Sequence, residues 1–112
     1  MAGFSFGSWI AARLAASDRA IERLILVAPP VTRSGFAALV SLPTPKLVIQ
    51  GTRDDLCPIE ALEPEFAKWS GPRDLIRVHG ASHFFDRQLG DLAEALHQGL
   101  DGPAREATSR DG

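Results

Sequence analysis

Cysteine is nearly absent from these 112 residues: Cys57 stands alone. A single thiol excludes an internal disulfide framework, and no pair or trio of cysteines and histidines falls at metal-ligand spacing. No excess of positive charge appears either, since 12 Lys and Arg are spread among 14 Asp and Glu for a formal net charge of -2. A basic footprint for a phosphate backbone is therefore missing, and nucleic acid is not an expected partner. No apolar run approaches the roughly 18 residues of a membrane span, and the N-terminus has no charged region leading into an apolar one. A membrane is thus not expected as a partner, and cytoplasmic residence is. Repeats, heptads and low-complexity tracts are also missing. What remains is one soluble domain or part of one, with 45% hydrophobic and 23% charged residues, for which neither cofactor nor metal is expected.

Strand and helix patterns alternate along the chain. Ser8 to Ser17 places Ile10 and Leu14 four apart among alanines, the spacing of a narrow apolar helical stripe. Leu24 to Ala28 is an unbroken apolar run closed by Pro29-Pro30, as in a strand buried on both faces of a parallel sheet. After a connection with a helical turn at Phe36 to Val40, Lys46 to Gln50 repeats that pattern and stops at Gly51. Ile59 to Trp69 spaces Leu62, Phe66 and Trp69 as an amphipathic helix, ended by Gly71-Pro72. Leu75 to Val78 reads as a shorter strand at the sheet's border. Asp86 to Leu100 is a helix with Leu89, Leu92, Ala93, Leu96 and Leu100 on one face. The expected architecture is α/β, a parallel sheet of about three strands with three to four flanking helices over residues 1–100, and a disordered tail over 101–112.

The chain opens on Gly3-Phe4-Ser5-Phe6-Gly7, a GxSxG pattern directly ahead of the first helix. Such a serine sits on a turn so tight that the residues two before and two after are expected to lack a Cβ, which would strike the adjoining strand or helix. A strand should precede the turn, and Met1-Ala2 is too short to supply it. Chance alone yields this pattern in roughly 4% of chains of this length, so its context must carry the reading. Asp54 follows Gly51 by three residues in the loop after one buried strand, and His83 lies in the loop after the next. Loops at the carboxyl ends of parallel strands share one rim, where Ser5, Asp54 and His83 can converge.

Each residue type suits a task in acyl transfer. A serine hydroxyl is a weak nucleophile until an imidazole takes its proton, and an imidazole can later return that proton to a leaving group. A carboxylate fixes the imidazole tautomer and stabilises its charged form. The backbone N–H of Phe6, at the start of a helix, points where an oxyanion would develop. It makes half of an oxyanion hole.

The stretches AGFSFGS, LVAPPV, LVIQGTRDDLCP and GASHFFDRQLG resemble the C-terminal half of α/β-hydrolase-fold proteins, and more narrowly the small capless bacterial hydrolases related to dienelactone hydrolases. The likeness covers nearly all of residues 2–100. It implies a triad on Ser5, Asp54 and His83, with the acid three residues after the strand-ending glycine, which leaves Asp55 as a solvated or loop-capping carboxylate. It also implies five earlier strands and an oxyanion loop that these residues do not include. Dienelactone hydrolases proper carry a cysteine where Ser5 stands, which argues against their substrate. The connection from Pro29 to Pro45 is too short for a cap, so an open site and small or exposed esters are expected.

Other residues invite plainer readings. Cys57 follows two carboxylates, the wrong sign of neighbour for a reactive thiol, and reads as a packing residue. His79 and His97 read as surface residues. Phe36 and Trp69 read as core, while Phe84 and Phe85 beside His83 are core residues or the lining of an acyl pocket. Two functions follow. One is a serine hydrolase acting on carboxylic esters or thioesters through an acyl-enzyme, complete only with sequence upstream. The other is a catalytically inactive hydrolase fragment or interaction module. For the isolated chain the expectation is little activity, and self-association through the exposed sheet edge where the strand at Leu24 to Ala28 lacks a neighbour.

Overall fold

In the computed structural model, residues 1–18, 20–32, 36–83, 85, 88–101 and 108–111 are described. They form a five-stranded parallel sheet in the order β1-β2-β3-β4-β5. The elements in sequence are β1 (Ala2–Phe4), α1 (Phe6–Ser17), β2 (Leu24–Val27), a 3-10 turn (Ala37–Val40), β3 (Lys46–Gly51), α2 (Ile59–Lys68), β4 (Arg73–Val78), α3 (Leu89–Asp101) and β5 (Thr108–Asp111). No described helix is long and apolar enough to cross a membrane.

The apolar strands are buried on both faces, as their unbroken hydrophobic runs require. Leu24 and Leu26 of β2, Val48 of β3 and Leu75 of β4 share one core with Ala11, Ala12 and Ala15 of α1 and with Leu62 and Phe66 of α2. Residues of opposite parity, Val27, Leu47, Ile49, Ile76 and Val78, join Ala95 of α3 in a second core. Two helices therefore cover one face and one helix covers the other. Phe36 and Trp69 belong to the first core, with rings 6.4 Å apart at 14°.

Five expectations are corrected. The strand before the serine does exist: Ala2, Gly3 and Phe4 pair in parallel with Ile25, Leu26 and Val27, so the motif's own first residues supply it. That pairing gives β2 the neighbour it was expected to lack, and Leu26 is fully buried. Along α1 the apolar pair Ile10 and Leu14 points outward, 43% and 46% exposed, while Ala11, Ala12 and Ala15 face the sheet. Small side chains let the helix axis approach the strands closely, which two larger aliphatic groups would prevent. In α3, Leu89 and Ala93 are exposed and the packed residues are Leu92, Ala95 and Leu96. Finally, β4 is not a border strand, because β3 and β5 flank it. Of the tail expected to be disordered, residues 102–107 and 112 lie outside the described residues, and Thr108–Asp111 runs beside β4 from Asp74 to Arg77.

Candidate functional site

Ser5 occupies the sharp corner between β1 and α1. Its backbone has φ 53 and ψ -117, a left-handed conformation that costs a non-glycine residue on the order of 1–3 kcal/mol. Hydrogen bonds hold it there: the Ser5 N–H donates to the Val27 carbonyl at 2.8 Å, and its own carbonyl accepts from the Ser8 N–H at 2.9 Å and from the Ser8 hydroxyl. The corner also needs one glycine. A Cβ on Gly3 would lie 2.1 Å from the Gly7 carbonyl oxygen, so strand and helix close on each other at that point. Gly7 differs from expectation, since a Cβ there meets nothing within 4 Å. In the glycine pair, the structure requires only the first to lack a side chain.

Asp54 and His83 sit on loops after β3 and β4, the adjacent strands in register from Lys46–Arg73 to Gly51–Val78. The two loops are stitched together: Thr52 N–H donates to the Val78 carbonyl at 3.1 Å, Arg53 N–H to the Ala81 carbonyl at 3.0 Å, and Gly80 N–H to the Thr52 hydroxyl at 2.7 Å. The Asp54 carboxylate is buried and accepts four bonds. Oδ1 takes the N–H groups of Leu56 and Cys57 at 2.9 and 2.7 Å, and Oδ2 takes Gln50 Nε2 at 3.1 Å and His83 Nδ1 at 2.7 Å. Its neighbour Asp55 is exposed.

A carboxylate only accepts, so the proton between Asp54 and His83 belongs to Nδ1. His83 Nε2 is then the acceptor for the Ser5 hydroxyl, 2.8 Å away. Carboxylate, imidazole and hydroxyl form one directed line, in which the hydroxyl can pass its proton to the ring as it attacks a carbon centre. Phe4 packs against the imidazole with ring centroids 5.5 Å apart, which limits how far the ring can swing.

Beside this line opens a cavity of about 250 Å³ lined by Ser5, Phe6, Pro30, Leu56, Cys57 and His83. Phe6 heads α1, stacks on Trp9 at 5.2 Å and is 51% exposed. Of the phenylalanines considered for the lining, Phe85 is fully buried in the second core and Phe84 lies outside the described residues. His79 and His97 are exposed.

Four residues of the site go beyond what the sequence motifs mark. In sequence Gln50 reads only as the end of a buried strand, yet its amide ties Asp54 to the Cys57 carbonyl at 2.7 Å. A polar residue closing an apolar strand immediately before the acid loop was the available signal. Phe4 and Pro30 carry no comparable mark. Cys57, read as packing, is buried but lies in the cavity wall with its sulfur near His83 and Asp54, the donor atoms of the three all within 4.8 Å of one another. Metal-ligand spacing along the chain misses such a group because two loops contribute to it.

No protein-family model matches the chain. The structure is similar to an α-β serine hydrolase homologue from Coxiella burnetii, with TM-score 0.83 and 40% identity over 88% of this chain and 47% of that one. It is also similar to XC6422 from Xanthomonas campestris, an α/β serine hydrolase without a lid, with TM-score 0.79 and 36% identity over 89% and 45% of the two chains. In sequence it is 27% identical over 106 residues to the uncharacterized protein RP471 of Rickettsia prowazekii (strain Madrid E), covering 88% of this chain and 44% of that protein. The chain spans about half the length of each.

Proposed function

We propose that this chain, whose fold is that of the α/β serine hydrolases and close to the small lidless bacterial ones, carries an acyl-transfer centre for carboxylic esters or thioesters. The observation that carries the reading is the hydrogen-bonded line from Asp54 through His83 to Ser5, with Ser5 held on a strained turn at the cavity mouth. In this reading Ser5 Oγ attacks the acyl carbon while its proton moves to His83 Nε2. Asp54 holds Nδ1 and stabilises the imidazolium. The negative charge that develops on the acyl oxygen is met by the Phe6 N–H at the start of α1. Collapse of the tetrahedral intermediate expels an alcohol or thiol that takes the proton from His83. Water, activated by the same imidazole, then frees the acid from Ser5.

The cavity is modest and bordered by Pro30, Leu56 and Phe6. Its size suits a small acyl group, and the short connection between β2 and β3 leaves no room for a cap over it. Small or exposed esters are the substrates this favours over buried lipid-like chains.

A second reading, that the chain is a non-catalytic hydrolase fragment or interaction module, is favoured by its coverage of about half of the proteins it resembles. A single oxyanion donor weakens catalysis on the order of a hundredfold to a thousandfold relative to a complete hole. One experiment separates the two. The 112-residue chain and Ser5→Ala are treated with a fluorophosphonate probe, and adduct formation is read by intact mass. Labelling of the parent and not of the variant supports the acyl-transfer centre, while no labelling of the parent leaves the fragment reading standing for this chain.

A further inference from the structure

The same rim brings together three donors that the hydrolase reading does not use jointly. Asp54, Cys57 and His83 are all buried, and a carboxylate oxygen, a thiol sulfur and an imidazole nitrogen lie within 4.8 Å of one another. Sulfur, nitrogen and oxygen in one pocket form the donor set of a borderline divalent cation of the zinc class, rather than of calcium or magnesium, which take oxygens. Tetrahedral zinc holds such donors about 3–4 Å apart, so a contraction on the order of 1 Å of the wider separations, with the 2.7 Å Asp54–His83 pair opening by a fraction of that, gives the geometry. The cavity bordered by Cys57 and His83 offers an entry and room for a fourth ligand such as water.

Charge favours a cation over an electrophile at this thiol. Carboxylates at 54 and 55 oppose formation of a bare thiolate, whereas a bound cation stabilises the thiolate and is itself drawn by the acidic surroundings. The carboxylate is also held ready, since the N–H groups of Leu56 and Cys57 fix its Oδ1.

From this geometry we infer that Asp54, Cys57 and His83 form an inhibitory binding site for a zinc-class cation. Binding is a property of the three side chains alone; the inhibition rests on the acyl-transfer reading. If the ion takes Nδ1, the ring proton must move to Nε2, which then donates to Ser5 Oγ instead of accepting from it. If the ion takes Nε2, the base is occupied outright. In either case the hydroxyl loses its proton acceptor, and the ion acts as a reversible stopper.

Cobalt(II) is the probe, because its thiolate complexes absorb by charge transfer in the near ultraviolet and the chain has one thiol to report. Titration of the full chain should produce that band, and added Zn²⁺ should bleach it by competition. Both Cys57→Ser and Cys57→Val should lack it, and His83→Gln should weaken cobalt affinity at least about tenfold. Ser5→Ala should leave the band unchanged, so the measurement is independent of catalysis. No band with the parent, or undiminished affinity in both His83→Gln and Asp54→Asn, overturns the site. The inhibitory part is read from fluorophosphonate labelling. Zn²⁺ should slow labelling of the parent, and rates with and without Zn²⁺ should be equal in Cys57→Val. Slowing by the same factor in Cys57→Val refutes inhibition through this site. A parent that is never labelled refutes the acyl-transfer reading and the inhibition with it, while the cobalt band still decides the site.

Discussion

Gly51 and Ala81 meet where the Asp54 loop leaves β3 and the His83 loop leaves β4: a Cβ on Gly51 would lie 2.3 Å from the Ala81 carbonyl oxygen. That oxygen accepts the Arg53 N–H at 3.0 Å, so the contact also ties down the residue before Asp54. The 2.7 Å bond between Asp54 and His83 bridges the same two loops. A strand-ending glycine thereby acquires a task in the geometry of the rim.

Gly51→Ala should part the two loops. An overpacked contact of this kind costs about 1–3 kcal/mol, and a displacement near 1 Å at the reacting groups costs about a hundredfold in rate. Thermal melting and the rate of fluorophosphonate labelling are the two measurements. A fall in labelling well beyond the fraction unfolded is the expected outcome. Labelling at the parent rate in a folded variant would show that the loops do not need the contact.

The carboxylate assignment gives a sharper contrast. Asp54→Asn presents an amide to His83 Nδ1, favours the wrong ring tautomer and should cost on the order of 10⁴ in acylation rate, as loss of the orienting carboxylate does in serine proteases. Asp55→Asn, at an exposed position, should change it less than threefold. The two variants are compared in an active form of the protein, with p-nitrophenyl acetate hydrolysis as readout. A larger loss at Asp55 would reverse the assignment.

Much of this arrangement was legible in the residues. Loops at the carboxyl ends of parallel strands share a rim, so Asp54 and His83 after two buried strands, with Ser5 on the turn ahead of the first helix, are expected on one rim, where the hydrogen bonds join them. The buried strands were recognisable because Leu24 to Ala28 and Lys46 to Gln50 lack the alternation of a half-exposed sheet. Periodicity failed where size mattered more than hydrophobicity. It chose Ile10 and Leu14 as the inner face of α1, whereas packing close to the strands selected the alanines. Three residues of β1 escaped notice because no propensity signal marks so short a strand; its existence rests on pairing with Ile25 to Val27. Cys57 and Gln50 gained their places through contacts between loops, which no local pattern encodes.

Lys46 supplies a test of stability against pH. Its side chain is buried, and the ammonium donates to the carbonyls of Leu42, Thr44 and Ser70 at 2.5, 2.8 and 2.7 Å. Burial, with a smaller push from the Arg73 guanidinium, lowers its pKa from 10.5 to about 8. Between those values the unfolded chain holds the proton and the folded chain does not, so stability rises with pH. Below pH 8 both states are protonated and the full cost of the buried charge is present. Relative to Lys46→Met, which has no such titration, the parent should gain up to about 3 kcal/mol from pH 8 to 10.5. Urea unfolding of both proteins at several pH values measures the difference. A constant difference across this range would mean that the three carbonyls keep the ammonium at its ordinary pKa.

The outward face of α1 predicts self-association. Phe6, Ile10 and Leu14 follow one another at four-residue spacing and are 51%, 43% and 46% exposed, so they form one apolar stripe along the helix. Met1 and Phe4, beside and on the edge strand β1, are 48% and 39% exposed. The edge of β1 away from β2 carries no further strand among the described residues. A second copy of the chain can cover the stripe and pair along this edge at once. Burying one Ile or Leu side chain fully is worth about 1.5–3 kcal/mol, so Ile10→Glu with Leu14→Glu should weaken association at least tenfold, at about 1.4 kcal/mol per decade. Neither residue touches the Ser5 line, and both point away from the core, so folding should survive the change. Light scattering coupled to size exclusion over a range of concentrations should show dimers or larger species for the parent and a monomer for the double variant. A parent that stays monomeric throughout would mean that this apolar stripe tolerates water without a partner.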